Sequence, residues 1–344
     1  MKNATSVLRP ELCKNEYPNC VITSNRNFES ISKAIILHHR DVYDQPNPSI
    51  CAQNSTQPCI LFNMESPSYT LRLNQDIHYH LSANYRLDSD IHVPYGEIHP
   101  ITQSQNVQKS NFTDEDFLSK HKVAAWIVSN CKTAGKREEY VEQLQKYQKI
   151  DIYGACGSLK CPKNNDCLQQ ISKKYYFHLS FENSIHKDYA SEKAFEILKY
   201  PIIPIVYGGA NYSKILPKNS YIDATKLEPA QLSQIMNELM SDKQKYKAFF
   251  DWKKNFKVET YGVISKLLCE TCSFIHKQQE EHLYLTKNGS YYNHWFQSNK
   301  AESFSINIYI SISIIFICLI ILYFYKYKII KFSRMKSFKA KILF

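Results

Sequence analysis

The stretch "YYFHLSFENSIHKDYASEKAFEILKYPIIPIVYGG", residues 175–209, decides the fold. Its two ends, "YYFHLSF" and "IIPIVYGG", are rich in aromatic and β-branched residues and read as buried strands. Between them "SEKAFEILKY" carries apolar residues at helical spacing and is stopped by Pro201. A strand, a helix and a second strand in this order predict a parallel sheet with helices on its faces. The segment "FENSIHKDYASEK", residues 181–193, is crowded with acids, lysines and other polar side chains. Its place between two hydrophobic strands requires a reason beyond an ordinary surface turn.

The same rhythm extends toward the N-terminus. "VAAWIVS" reads as a strand, "KREEYVEQLQKY" places Tyr140, Val141, Leu144 and Tyr147 at helical spacing, and "IDIYG" reads as a strand again. Earlier, "KAIIL" (33–37) and "CILFNM" (59–64) are short buried strands, and "LSANYRLDSDIHVPYG" adds an extended segment. Polar residues dominate between about 97 and 120, as expected of a linker. No internal repeat is evident.

Ligands of open α/β sheets bind beyond the carboxyl ends of the strands. Ser129 and Asn130 directly follow "VAAWIV", and Arg137 opens the next helix. Asn183 and Ser184 come within three residues of the end of "YYFHLSF", and Glu192 and Lys193 occupy the first turn of the helix after it. All of these fall on one rim, so the charged turn reads as the lip of a cleft. Helix N-termini are electropositive and carry unpaired N–H groups. With Arg137 and Lys193 beside them, they would hold a diphosphate without a glycine-rich loop.

The chain has 344 residues, enough for two domains, and its eight glycines and 22% charged residues fit a globular protein. The formal charge of +11 suggests nucleic acid until it is located. Lys326, Lys328, Lys331, Arg334, Lys336, Lys339 and Lys341 carry seven of those charges in the last 19 residues, leaving +4 on the first 325. No nucleic-acid partner is expected. Just before this tail, residues 306–324 ("INIYISISIIFICLIILYF") have no charge and would form a helix of about 28 Å, one hydrocarbon core. The lysines after it place that side in the cytosol and the body in a lumen.

Ten of the eleven cysteines lie outside this span. Several are near one another: Cys13 with Cys20, Cys51 with Cys59, Cys156 with Cys161 and Cys167, Cys269 with Cys272. "CETC" lacks a second CxxC to complete a zinc site and reads as a short-loop disulfide. Asn3, Asn54, Asn111, Asn211 and Asn288 head glycosylation sequons. A lumenal body needs a signal or anchor, and "MKNATSVLRPELCKNEYPNC" has no apolar run, so either the anchor is upstream, the preferred reading, or the chain is inserted tail-first with its body in the cytosol.

The sequence resembles the alpha-1,3-fucosyltransferases of glycosyltransferase family 10. "LSFENSIHKDYASEKAFEILKYPIIPIVYGGANYSKILP" is similar to the family's donor-site block. "VAAWIVSNCKTAGKREEYVEQL", "YRLDSDIHVPYG", "FNMESPSYT", "AIILHHRD" and "CETC" match other blocks in order, over roughly residues 20 to 277. "IDIYGACGSLKCP" looks closer to invertebrate and plant members that modify the glycan core.

The resemblance implies an α/β fold of two Rossmann-like domains facing across a cleft (GT-B type). Residues 1–110 would form the acceptor-side domain, lacking the family's first strand, and 120–277 the GDP-fucose domain. A juxtamembrane segment (278–305), a transmembrane helix (306–324) and a basic tail (325–344) would follow. It further implies transfer of fucose with inversion to an N-acetylglucosamine-containing glycan, in the Golgi lumen. The alternative is an inactive relative that binds nucleotide or glycan without turnover.

Carried onto this chain, Ser129, Asn130 and Arg137 would lie along the nucleotide and diphosphate. Asn183, Tyr189, Glu192 and Lys193 would complete the donor site, with His178 and Tyr95 nearby. Glu65 matches the family's proposed general base, a role that an inverting transfer requires. "DSD" (88–90) and "DED" (114–116) have a metal-binding spacing but lie in the acceptor domain and the linker. No metal is expected to be required, and a divalent ion would at most stimulate.

Overall fold

The computed structural model describes Cys13, residues 20–42, Cys51, and residues 57–71, 79–101, 112–161, 167–260 and 262–281, with backbone alone after 277. The expected span at 306–324, the basic tail and the sequons at Asn3, Asn54, Asn111 and Asn288 lie outside the described residues. No helix among the described residues is long and apolar enough to cross a membrane.

Four short strands build the first sheet: β1 (Ile35–His38), followed by helix α1 (His39–Val42), then β2 (Cys59–Phe62), β3 (Leu81–Asn84) and β4 (Ile91–His92). They lie side by side in chain order, all parallel. Each of β2 and β3 is buried along its whole length, which is why both read as unbroken apolar runs rather than alternating ones.

Strand β5 (Gly96–Pro100) and helix α2 (Asp114–Leu118) lead into a second parallel sheet. It contains β6 (Lys122–Ile127), α3 (Arg137–Leu144), β7 (Ile150–Tyr153), α4 (Cys167–Lys174), β8 (Tyr175–Phe181), α5 (Glu192–Leu198), β9 (Ile203–Tyr207), α6 (Tyr212–Ile215) and β10 (Ile222–Asp223). The spatial order is β10-β9-β8-β6-β7. The order reverses between β6 and β8, so the crevice where open α/β sheets bind ligands lies beyond those two strands. The strand and helix readings from 122 to 207 agree with this sheet.

Helices α7 (Pro229–Ser241) and α8 (Lys243–Ala248), strand β11 (Phe256–Thr260) and helix α9 (Val263–Glu281) close the described chain. Two features differ from the sequence reading. The polar stretch taken as a linker from about 97 begins in a strand: β5 pairs antiparallel with β11, with Lys257 opposite His99 and Glu259 opposite Glu97. Its polar residues are matched by ion pairs, including Lys266 to Glu97 at 2.8 Å, rather than by an apolar core. In addition, α9 returns to the first sheet, burying Leu267 with Ile60, Phe62, Leu81 and Ala83. Removing a leucine side chain from water in this way contributes roughly 1.5–3 kcal/mol.

The cysteines need a correction as well. Cys269 and Cys272 do not pair with each other; they bridge to Cys13 and Cys20 respectively. Both lie on α9, where residues three apart hold their Cβ atoms about 5–6 Å apart, too far for a mutual disulfide. Cys51–Cys59 pairs as neighbours, whereas Cys156 takes Cys131, and Cys161 takes Cys167.

Candidate active site

The 181–193 segment sits where the two sheets meet. The hydroxyls of Ser184 and Ser66 are 2.6 Å apart and fully buried. Ser68 Oγ lies 2.7 Å from His186 Nε2, and Lys187 pairs with Asp88 at 2.9 Å. The Leu87 N–H donates to Asp188 Oδ2, and Asp188 itself adopts a left-handed backbone conformation (φ 60°). Asp tolerates that region better than most residues. From the sheet side, the Gly135 N–H donates to the Asn183 carbonyl at 2.8 Å. Gly209 presses so closely on the His186 backbone that a Cβ there would collide with it. The turn is therefore gripped by residues beyond β2 and β3 on one side and beyond β6 and β9 on the other.

Each side chain expected at the site can now be placed. Glu65 follows β2; its carboxylate is 43% exposed and lies 3.4 Å from Arg40. Tyr95 donates to the Met64 carbonyl at 2.6 Å, and the rings of Tyr85, Tyr95 and Tyr189 cluster with centroids 5.0–6.5 Å apart. Burial raises the hydroxyl pKa of both Tyr95 and Tyr189, and the charges of Glu65 and Glu182 each raise them further. Met64, beside Glu65 after the first sheet, and Tyr189, in the turn of the second, thus meet through Tyr95. Beside the pair opens a cavity of about 430 Å³ whose walls include Tyr85, Tyr95, Asp188, Phe195, Asn211 and Lys214.

Ser129 and Asn130 are exposed beyond β6, and Asn130 Nδ2 donates to Tyr69 Oη at 3.3 Å. Arg137 is only 4% exposed. It donates to the carbonyls of Phe181 (2.5 Å) and Asn130 (3.3 Å), and its guanidinium lies over the Trp126 ring. Burial lowers its pKa, and the largest opposing influence is Glu182. Arg137 therefore braces the carboxyl ends of β6 and β8 from beneath, and its Nε has no hydrogen-bond partner among the described residues. Lys193, 28% exposed, bonds Glu182 and Ser191, while the Glu192 side chain is more than half exposed.

His178 is not brought to the rim. It lies inside β8, three residues short of its end, with Nδ1 3.0 Å from Ser180 Oγ. Burial lowers its pKa to about 4, so it is neutral in the folded protein. An unfolded histidine, near 6.5, takes up a proton that the folded one refuses. Stability contributed by the neutral ring is therefore complete above pH 6.5 and is lost as pH falls toward 4, by about 3 kcal/mol for a shift of this size. Thermal unfolding followed over pH 4–7 should show a steeper acid decline in the unmodified protein than in His178→Asn; identical slopes would remove His178 from this account.

Two residues escaped the sequence reading. Glu182, 1% exposed, accepts from the Ser191 N–H (2.8 Å), the Ser191 hydroxyl (2.9 Å) and Lys193 Nζ (3.0 Å). Ser180 donates to the Lys193 carbonyl at 3.2 Å. The signal was present in the strand alternation: Phe177, Leu179 and Phe181 share one face, and His178, Ser180 and Glu182 share the other. The acids of the two metal-spaced triplets have local partners. Asp88 bonds Arg86 and Lys187; burial works to raise its carboxyl, but those cations hold it far below the usual range. Asp90 accepts from Ser82, Asp116 caps α2 through Thr113, and Asp114 pairs with Lys243.

Comparison with known proteins decides the family. The model for the C-terminal part of glycosyltransferase family 10 (fucosyltransferase) matches residues 117–304, and that for the fucosyltransferase N-terminal part matches residues 2–96. The chain belongs to glycosyltransferase family 10. The match begins earlier and ends later than the 20–277 read from the sequence. Alpha-(1,3)-fucosyltransferase C of Drosophila melanogaster is 33% identical over 86% of this chain and 73% of its own length. The 4-galactosyl-N-acetylglucosaminide 3-alpha-L-fucosyltransferase 9 of Rattus norvegicus is 33% identical over 76% of this chain and 71% of its own. A crystal structure of an alpha1,3-fucosyltransferase aligns with 73% of this chain and 78% of its own, at TM-score 0.46 and 14% identity. The family 10 chain described here is an α/β protein with parallel sheets, and its family is one of glycosyltransferases.

Proposed function

We propose that this protein is an inverting alpha-1,3-fucosyltransferase that moves fucose from GDP-fucose to an N-acetylglucosamine-containing glycan. One observation carries this reading beyond family membership. The residues after β2, which include Glu65, interlock with the turn after β8 through Ser66–Ser184 and Ser68–His186. Tyr95, whose hydroxyl donates to the Met64 carbonyl beside Glu65, packs its ring against Tyr189 of that turn. The two parallel sheets support two Rossmann-like domains of the GT-B type, with the donor on the second.

In this mechanism Glu65 takes the proton of the acceptor hydroxyl while its oxygen bonds the anomeric carbon of fucose from the face opposite GDP. The bond from that carbon to the β-phosphate oxygen breaks, and GDP leaves with the electron pair. Lys193 on the rim and Arg137 beneath it offset the charge growing on the diphosphate. Tyr95, Tyr189, Ser129, Asn130, Asn183 and Glu192 would line the nucleotide sugar, and His178 would act only through Ser180, whose hydroxyl meets the Lys193 carbonyl of α5.

The aspartates of both triplets are engaged by Arg86, Lys187, Ser82, Thr113 and Lys243, which supports a transfer with no obligatory metal. The five disulfides among the described residues support an oxidising compartment, and we propose that the body lies in the Golgi lumen, anchored through residues 306–324. The exposed Asn211 remains a glycosylation candidate. The test is an assay with GDP-fucose and a panel of N-glycan core and lactosamine acceptors. Turnover is expected to persist in EDTA. GDP binding without turnover on any acceptor would instead assign a binding protein, and complete loss of activity in EDTA would overturn the metal-free mechanism.

A further inference from the structure

We infer that Glu182 is a positioning residue for the donor diphosphate, acting through Lys193; the inference rests on the donor reading above. A lysine ammonium has three N–H donors. In Lys193 one goes to Glu182 Oε2 at 3.0 Å and a second to Ser191 Oγ at 2.6 Å. Glu192 Oε1, at 3.8 Å, is beyond hydrogen-bond reach. The third N–H, on a side chain still 28% exposed, remains to meet a phosphate oxygen.

Glu182 can do this because it is itself immobile. Ser191 holds its carboxylate through both the backbone N–H and the hydroxyl. Gly208 at the end of β9 leaves no space beside it: a Cβ there would press on Glu182 Cγ and on the Tyr212 hydroxyl. A buried carboxylate beside an anion site would repel the ligand if it stood alone. Here Lys193 pairs with it at 3.0 Å, so the carboxylate does not stand alone. A free surface lysine must lose rotamer freedom when it binds, whereas Lys193 is ordered by Glu182 beforehand.

The test is a double-mutant cycle read by GDP titration calorimetry on the whole chain. Glu182→Gln keeps the shape and the bond from Ser191 but removes the ion pair. It is expected to raise the Kd for GDP about tenfold and to leave the acceptor KM unchanged. Added to Lys193→Ala, it should cost less than about twofold more, because its partner is already gone. Additive losses, or an unchanged Kd in Glu182→Gln, would overturn the inference. Should Glu182→Gln fail to fold, Ser191→Ala carries the test, with a rise of about threefold expected and no rise counting against it. Failure of the unmodified chain to bind GDP would refute the donor reading itself, and is distinguished by that arm alone.

Discussion

Glu65→Gln should lower kcat by about 10²–10⁴-fold, the range for removing a positioned general base, while GDP affinity stays nearly unchanged. Gln fills the same volume and can still accept from Arg40, which contacts the Glu65 carboxylate at 3.4 Å, so the loop after β2 should hold its place. What it cannot do is accept the acceptor's proton. Steady-state kinetics with saturating GDP-fucose, set beside GDP calorimetry, separate the two effects. Parallel loss of GDP affinity would mean that Glu65 supports the nucleotide site instead of the chemistry. Single-turnover rates would show whether the loss lies in the transfer step.

Lys193→Ala should lower kcat/KM for GDP-fucose by about 10²–10³-fold, as for removal of one group that stabilises charge developing in the transition state. The side chain is partly exposed, but its loss leaves the buried Glu182 carboxylate held by Ser191 alone, so the variant should unfold at a somewhat lower temperature than the unmodified protein. Arg137→Ala makes the contrast. That guanidinium is buried and serves the carbonyls of Phe181 and Asn130, so its loss leaves the buried Phe181 acceptor short, at about 1–3 kcal/mol. Arg137→Ala, at 4% exposure against 28% for Lys193, should therefore lose more stability than Lys193→Ala, as well as donor affinity. Thermal unfolding and GDP titration of the two variants side by side check the distinction; a Lys193→Ala protein that binds GDP normally would end the assignment of Lys193 to the diphosphate.

Much of the fold was legible because strands and helices write their periodicity into neighbouring residues. The alternation in "YYFHLSFE" and the helical spacing in "KREEYVEQL" are local facts, and β8 and α3 formed where they were read. The rim was legible too, since a residue that follows a buried strand must emerge at its carboxyl end. Ser129, Asn130, Asn183 and Glu65 are there for that reason. Strand β5 was not legible: its polar residues find partners in β11 and α9, more than 150 residues later, and a linker has the same composition.

The sequence by itself determined that this is a parallel α/β protein, that its charged turn lies on a strand rim, and which family it belongs to. Tertiary structure alone decided that Arg137 is a buried brace while Lys193 reaches the surface, that Glu182 ties Lys193 down, and that Cys269 and Cys272 reach back 256 and 252 residues to Cys13 and Cys20. The reason is range. Backbone periodicity is fixed by neighbours a few positions away, whereas burial, charge pairing and disulfide partners depend on which distant segments the packing brings within a few ångströms.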